Sequence, residues 1–180
     1  TNPMCFGWPR GDQPPLVFDQ ASASMARGEV MIAARDGHPV PLGTGVDAEG
    51  ELTTDAAKII EGGALLPFGG HKGSTIAMMI ELLVAGLTGM DFSYEAQLND
   101  NDDGGPPNGG EFMLAIDPNK FGDADNWLAH SEAFIAQLAS MEGAHIPGDR
   151  RYQNRTAHQK SGIAVKQEVI DRCRGFISEQ

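Results

Sequence analysis

The hydrophobic pattern of this chain is organised around a stretch from Thr75 to Gly89, where Ile76, Met79, Ile80, Leu83 and Leu87 recur at helical spacing. Met78, Leu82 and Val84 fill much of the remaining circumference. Glu81 is the only charge in it. The pattern therefore predicts a helix buried on most of its sides. Ser74 or Thr75 can cap its start, and Gly86 and Gly89 can release the chain at its end. Before it, a short apolar run ends at Pro67-Phe68 and a glycine loop follows, Gly69-Gly70-His71-Lys72-Gly73.

The flanking patterns are shorter. Residues 1–15, rich in Pro and Gly, read as irregular, with a short strand at 4–6. Residues 16–18 read as a buried strand ending at Asp19. Asp19, Ser22 or Ser24 can cap a helix that runs to about Arg35, interrupted by Gly28 and stopped at Asp36-Gly37. Residues 38–54 read as loop with a turn at 47–50. A short helix over 56–60, capped by Thr53, Thr54 or Asp55, is ended by Gly62-Gly63.

Further on, the glycine-rich residues 99–110 carry no regular pattern, 112–116 read as a strand, and 117–120 as a turn. Trp127, Leu128, Phe134, Ile135, Leu138 and Met141 form one face of a helix over about 123–141, stopped by Gly143. Trp127 belongs to that stripe and reads as core. Residues 147–152 read as a turn and 163–165 as a last strand. Val169, Ile170, Cys173, Phe176 and Ile177 mark a closing helix.

Composition narrows the partners. With 180 residues the chain suffices for one core, and its 41% hydrophobic and 21% charged content is ordinary for a soluble globular protein. A net charge of -12 opposes binding to a phosphate backbone, which excludes nucleic acid as the expected partner. No apolar run reaches membrane-spanning length. Cys5 and Cys173 have no CxxC or ligand spacing, which fits a reducing cytoplasm and predicts two unrelated buried thiols. Thr1-Asn2-Pro3 has neither an initiator Met nor a signal-like core, and looks cut from something longer.

The candidate chemistry sits before the central helix. Glycines let the backbone approach a ligand, the helix start offers unpaired N–H groups, and Lys72 adds a full charge, a combination suited to phosphate or carboxylate. The Walker pattern is absent, because Gly73 follows Lys72, and a plain glycine turn feeding a core helix explains the same residues equally well. Asp19, at the carboxyl end of a strand, is placed to face a ligand or to cap a helix. Arg150 and Arg151, adjacent in a turn of an acidic chain, suit either a bidentate grip on an anion or an ion pair.

Asp100, Asp102, Gly105 and Glu111 match four places of a calcium loop. Gly104, Pro106 and Pro107 and a following strand-like segment argue against one, and no metal site is expected. No GxSxG, HExxH or G-x-G-x-x-G is present, so an ordinary Rossmann site is not supported.

Thr1-Asn2-Pro3, Phe18-Asp19 with Ala21, Gly69-Gly70-His71-Lys72-Gly73 before the Ile/Met/Leu helix, and Pro147-Gly148-Asp149-Arg150-Arg151-Tyr152 occur in this order in one family. The chain resembles the malate/L-lactate dehydrogenases, and within them the Δ1-piperideine-2-carboxylate/Δ1-pyrroline-2-carboxylate reductases. The resemblance implies a non-Rossmann α/β fold, a mixed sheet with flanking helices, incomplete at its N-terminus. It implies a cofactor-binding domain over 1–145, and a segment 146–180 that returns to the cofactor site and packs on the missing N-terminal domain.

It further implies NADPH, or alternatively NADH, contacted by Asp19, Gln20, Ala21, Gly70, His71, Lys72 and Pro147, Gly148, Asp149, Arg150, Arg151, Tyr152 and Gln153. Thr1, Arg27 and Gly28 would bind a small imino or 2-oxo acid. Glu29 would take the place of a catalytic carboxylate that supports the proton donor, a Ser-His pair held in the N-terminal part. A cyclic imino acid reductase is the expected activity, with a 2-hydroxy acid dehydrogenase or a non-catalytic binding module as alternatives. A cytoplasmic homodimer, or pairing with the missing N-terminal half, is the expected assembly.

Overall fold

A computed structural model describes residues 2–101 and 108–178 of the chain. The substrate contact expected of Thr1 and the calcium-like positions Asp102 and Gly105 lie outside the described residues. The architecture mixes helices with small sheets and no closed barrel, an α/β arrangement. The chain divides into two compact units, one of residues 1–6 and 19–121, the other of residues 7–18 and 122–180.

The chain opens on a hairpin in place of the irregular stretch expected, with β1 at Pro3–Arg10 and β2 at Gln13–Ala21 joined by Gly11-Asp12. Pro9, Pro14 and Pro15 hid it from the pattern. In a two-stranded ribbon every residue has an edge side, where a missing N–H is tolerated. Asp19 accordingly lies inside β2, not beyond its end, and residues 16–18 are half-buried.

In the first unit, α1 spans Arg27–Asp36 and ends on Gly37 in the left-handed conformation, as expected. It starts later than expected, at Ala26 without a side-chain cap, so Gly28 falls in the first turn and does not interrupt the helix. Residues 38–54 are not all loop. β3 (Gly45–Val46) pairs antiparallel with β4 (Leu52–Thr53) and with β5 (Ala64–Leu65), and Asp47 closes the 47–50 turn by accepting from the Glu49 and Glu51 amides. Two-residue strands are too short to carry an alternation. Between β4 and β5, α2 (Ala56–Ile60) is capped by Asp55, which accepts from the Ala57 amide at 3.0 Å.

Val30 of α1, Val40, and Ala56 and Ile59 of α2 form the buried core of this unit. The backbone beyond β2 pairs with the chain beyond β5. Ser24 donates to the Leu66 carbonyl, Phe68 donates to the Ser22 carbonyl, and Ala23 bridges Pro67. The end of β2 is thereby fixed beside the entrance to the next helix.

That helix, α3, spans His71–Glu81, so His71, Lys72 and Gly73 form its first turn and not a loop. Ser74 and Thr75 do not cap it; their hydroxyls donate back to the Gly70 and His71 carbonyls. After Glu81 the chain makes a π turn, Leu82–Gly86, and is released at Gly89 with φ of +75°. The expectation of burial on most sides fails. Ile80 and Ala85 are buried, whereas Met78 (59%), Met79 (50%), Leu82 (57%) and Leu87 (65%) are exposed. A short α4 (Ser93–Leu98) follows, with Glu95 accepting from the Phe92 amide. Residues 112–116 pair with no strand among the described residues, and Met113 and Leu114 are exposed.

In the second unit, α5 (Trp127–Ala139) buries Ile135, and a half-buried Trp127 stands edge-on to Trp8 with ring centroids 5.7 Å apart, whereas Phe134 and Met141 of the expected apolar face are exposed. Residues 149–152 are not turn but the opening of α6 (Asp149–Ser161), a helix with no buried residue and hence no apolar stripe to reveal it. Residues 163–165 form no strand and link α6 to α7 (Gln167–Ser178), the closing helix the spacing predicted. Phe176 and Ile177 of α7 are exposed. Cys5 and Cys173 are free, as expected, but exposed and not buried. No described helix is long and apolar enough to cross a membrane.

Candidate active site

Two helices begin in the same unusual way. α3 starts on Gly70 with φ of +58°, and α6 on Gly148 with φ of +94°, and neither has a side-chain cap. The first amides of a helix have no intrahelical acceptor, and most helices supply one from Ser, Thr, Asp or Asn. No side chain fills that role in α1, α3, α5 or α6, and in α3 and α6 cations stand in the first turn: Lys72 in α3, and Arg150 and Arg151 beside Asp149 in α6, where the Asp149 amide donates to the Ile146 carbonyl. A cation at a helix N-terminus opposes the macrodipole by roughly 0.3–1 kcal/mol. An anion bound there would reverse that cost.

Both starts are shaped by close approach. A Cβ on Gly73 would lie 1.6 Å from the Phe68 carbonyl oxygen, so only glycine lets α3 begin against that strand end. A Cβ on Gly148 would meet the Tyr152 ring at 3.2 Å and the Val17 carbonyl at 3.3 Å. The Tyr152 hydroxyl donates to the Pro15 carbonyl at 2.9 Å and ties the start of α6 to β2. A negatively charged ligand fits this chemistry: helix starts with no side-chain cap, a glycine approach and cations.

Asp19, Gln20, Gly70, His71 and Lys72 are exposed and Ala21 is half-buried, so hydrophobic packing occludes none of them. The Ser22–Phe68 backbone bond brings the Asp19–Ala21 end of β2 and the α3 start together in the first unit. Pro147, Asp149, Arg150, Arg151 and Gln153 are exposed in the second unit, with Gly148 and Tyr152 half-buried.

Arg27 opens α1 and lines a cavity of about 1090 Å³ in the first unit, together with Asn2, Cys5, Glu81 and Asp91. Arg27 makes no ion pair with a described residue. A Cβ on Gly28 would meet nothing within 4 Å. Glu29, two residues on and exposed, is not among the residues lining this cavity.

The pattern missed how tightly the cavity wall is tied. Asn2 donates through Nδ2 to Glu81 Oε2 at 2.8 Å and to the Ala77 carbonyl at 2.9 Å. Its main chain exchanges bonds with Ser22, whose Oγ accepts from Asn2 N at 3.0 Å and whose amide donates to Asn2 O at 2.9 Å. Glu81 also accepts from the Ser93 amide and hydroxyl. Burial pushes the Glu81 carboxyl up, but the Ser93 amide, the Ser93 hydroxyl and the Asn2 carboxamide outweigh it and hold it below the usual value. The available signal was a single carboxylate in an apolar helix, which demands partners.

The chain matches the malate/L-lactate dehydrogenase family over residues 1–174. It belongs to that family, and its fold is the α/β fold of these dehydrogenases. It is 44% identical over 174 residues to the Δ1-pyrroline-2-carboxylate/Δ1-piperideine-2-carboxylate reductase of Pseudomonas syringae pv. tomato, covering 97% of this chain and 50% of the relative. It is 39% identical to the (2R)-3-sulfolactate dehydrogenase (NADP(+)) of Chromohalobacter salexigens, over 98% of this chain and 52% of the relative.

The crystal structure of Δ1-piperideine-2-carboxylate reductase from Pseudomonas syringae superposes with a TM-score of 0.86 at 43% identity, over 94% of this chain and 51% of that one. Malate dehydrogenase from Entamoeba histolytica shares the fold at a TM-score of 0.82 and 20% identity, over 98% of this chain and 54% of that one. The chain spans about half the length of the curated relatives it matches.

Proposed function

We propose that this chain is the C-terminal half of an NADPH-dependent reductase of a cyclic imino acid of the Δ1-pyrroline-2-carboxylate/Δ1-piperideine-2-carboxylate type. The observation that carries the reading is the uncapped, glycine-led start of α3 with Lys72 in its first turn. The reductases at 42–44% identity supply the substrate class, and the NADP(+) in the name of the sulfolactate relative favours NADPH over NADH.

In this reading the amides of His71 and Lys72, the Lys72 ammonium and the end of β2 at Asp19, Gln20 and Ala21 hold the cofactor. The stretch from Pro147 to Gln153, with Arg150 and Arg151, is a second cofactor-contacting element on its own unit. The bound nicotinamide supplies the hydride to the C=N carbon. Arg27 binds the substrate carboxylate beside the open space at Gly28, and Thr1 is assigned as a further substrate contact. Glu29 keeps the charge needed to support a proton donor, and the donor itself comes from the N-terminal half. The cofactor-binding region is assigned to 1–145 and the return segment to 146–180.

The uncovered apolar surfaces support a partner. Met78, Met79 and Leu82 of the α3 segment, and Phe176 and Ile177 of α7, are assigned to contact with the N-terminal half or with a second copy in a cytoplasmic homodimer. Arg27 also suits a 2-oxo acid, which keeps a 2-hydroxy acid dehydrogenase as the second reading. A form carrying both halves of the fold, assayed with NADPH, should reduce Δ1-pyrroline-2-carboxylate in preference to oxaloacetate or pyruvate. No turnover of the imine would overturn the first reading.

A further inference from the structure

The cavity that Arg27 lines contains a carboxylate, Glu81, placed where a proton donor for the imine would be sought. Its hydrogen bonds assign it another task. Oε2 accepts from Asn2 Nδ2 at 2.8 Å and from Ser93 Oγ at 2.9 Å, and Oε1 accepts from the Ser93 amide. Two of these partners, the Asn2 carboxamide nitrogen and the Ser93 amide, can only donate, and the Ser93 hydroxyl, which also reaches Asn2 Oδ1 at 3.3 Å, has a second acceptor for its one hydrogen, so the network favours the ionised carboxylate. Asn2 is equally committed. Both hydrogens of its Nδ2 are used, on Glu81 and Ala77, and its amide and carbonyl are engaged by Ser22.

Glu81 is also the residue at which α3 passes into the π turn. Single π turns are frequent at functional sites. Here the Glu81 side chain, at the entry to the turn, joins the start of β1 to α3 and to the Ser93 start of α4.

We propose that Glu81 is a positioning residue: through Asn2 it fixes the start of β1 as a wall of the substrate cavity, and it exchanges no proton with the substrate. The proposal rests on the reading that this cavity takes the imino acid. It predicts that Glu81 and Asn2 act as one unit, because residues joined in one hydrogen-bond network are strongly non-additive.

In a form carrying both halves, Asn2→Ala and Glu81→Ala should each lower kcat/KM for Δ1-pyrroline-2-carboxylate about tenfold, largely through KM, and the double variant should be no worse than the poorer single. A double variant whose loss is the product of the single losses overturns the proposal. So does a Glu81→Gln enzyme that loses kcat by more than about a hundredfold at unchanged KM, the signature of a lost acid. If Glu81→Ala fails to fold, Ser93→Ala replaces it in the cycle, with the same non-additivity expected. Apart from any turnover, the Asn2 carboxamide protons should exchange slowly in NMR spectra of the wild-type chain and quickly in the Glu81 variant. Fast exchange in wild type overturns the positioning role. If the wild type reduces no imine while those protons stay protected, the substrate reading fails and the tie between Glu81 and Asn2 stands.

Discussion

The Arg10 guanidinium grips the Glu132 carboxylate with both arms, Nε to Oε1 at 3.1 Å and Nη2 to Oε2 at 2.9 Å, and so joins β1 to α5 within the second unit. The hydrogen bond from Arg10 holds the Glu132 carboxyl below its usual value of 4.5. The folded carboxyl then releases its proton more readily than the unfolded one, so the unfolded chain binds more protons as pH falls. The contribution of the pair is complete above about pH 4.5 and is lost as pH falls through the lower folded value. Urea midpoints measured from pH 7 to pH 3 should drop more steeply for wild type than for Glu132→Gln. Parallel curves would contradict the pairing.

Gly73 and Gly70 are glycines for different reasons, and alanine should separate them. At Gly73 the new Cβ would sit 1.6 Å from the Phe68 carbonyl oxygen, so backbone must move, at a cost of roughly 1–3 kcal/mol. At Gly70 nothing lies within 4 Å, and the cost is backbone strain alone, at φ of +58° and ψ of −129°, on the order of 1–2 kcal/mol. Thermal unfolding should rank Gly73→Ala below Gly70→Ala in stability. The reverse order would mean that α3 does not start against Phe68.

Tyr152 offers a similar separation in the second unit. Phenylalanine keeps the ring beside Gly148 and removes only the bond from the hydroxyl to the Pro15 carbonyl, a loss of about 1 kcal/mol in unfolding free energy. Alanine removes the ring as well and should cost clearly more. Equal midpoints for the two variants in urea would show that the ring does not pack there.

Much of this architecture was legible because it depends on local chemistry. Asp55 caps α2, Gly37 stops α1, Asp117 opens the 117–120 turn by accepting from the Asn119 amide, and α5 and α7 fall where the spacing put them, although Phe134, Met141, Val169, Phe176 and Ile177 of the apolar faces expected of them are exposed. What escaped depends on strand pairing or on contacts between residues far apart in the chain. The β1–β2 ribbon was hidden by prolines that only a two-stranded edge tolerates, and α6 by a surface polar on every side. The burial expected around Met79 and Leu82 is not found, because the residues packed on α3 in this chain leave both exposed. The stretches proposed to hold the cofactor stand out as glycines beside cations, whereas the link from Asn2 to Glu81 spans 79 positions and no periodicity encodes it.

The open helix starts give the last prediction. If the amides and cations of α3 and α6 serve an anionic cofactor, removing a cation should weaken binding without unfolding the protein, since Lys72 and Arg151 are both exposed. Quenching of Trp8 and Trp127 fluorescence by NADPH should report a Kd about two- to fivefold higher in Lys72→Ala and in Arg151→Ala at low salt, the size of one partly screened charge contact. Ionic strength screens exposed charges over about 10 Å at 0.1 M, so the gap between wild type and variants should narrow as salt rises. A titration that neither substitution moves would assign both cations to the surface alone. A loss undiminished by salt would point instead to a change in the fold of the helix starts.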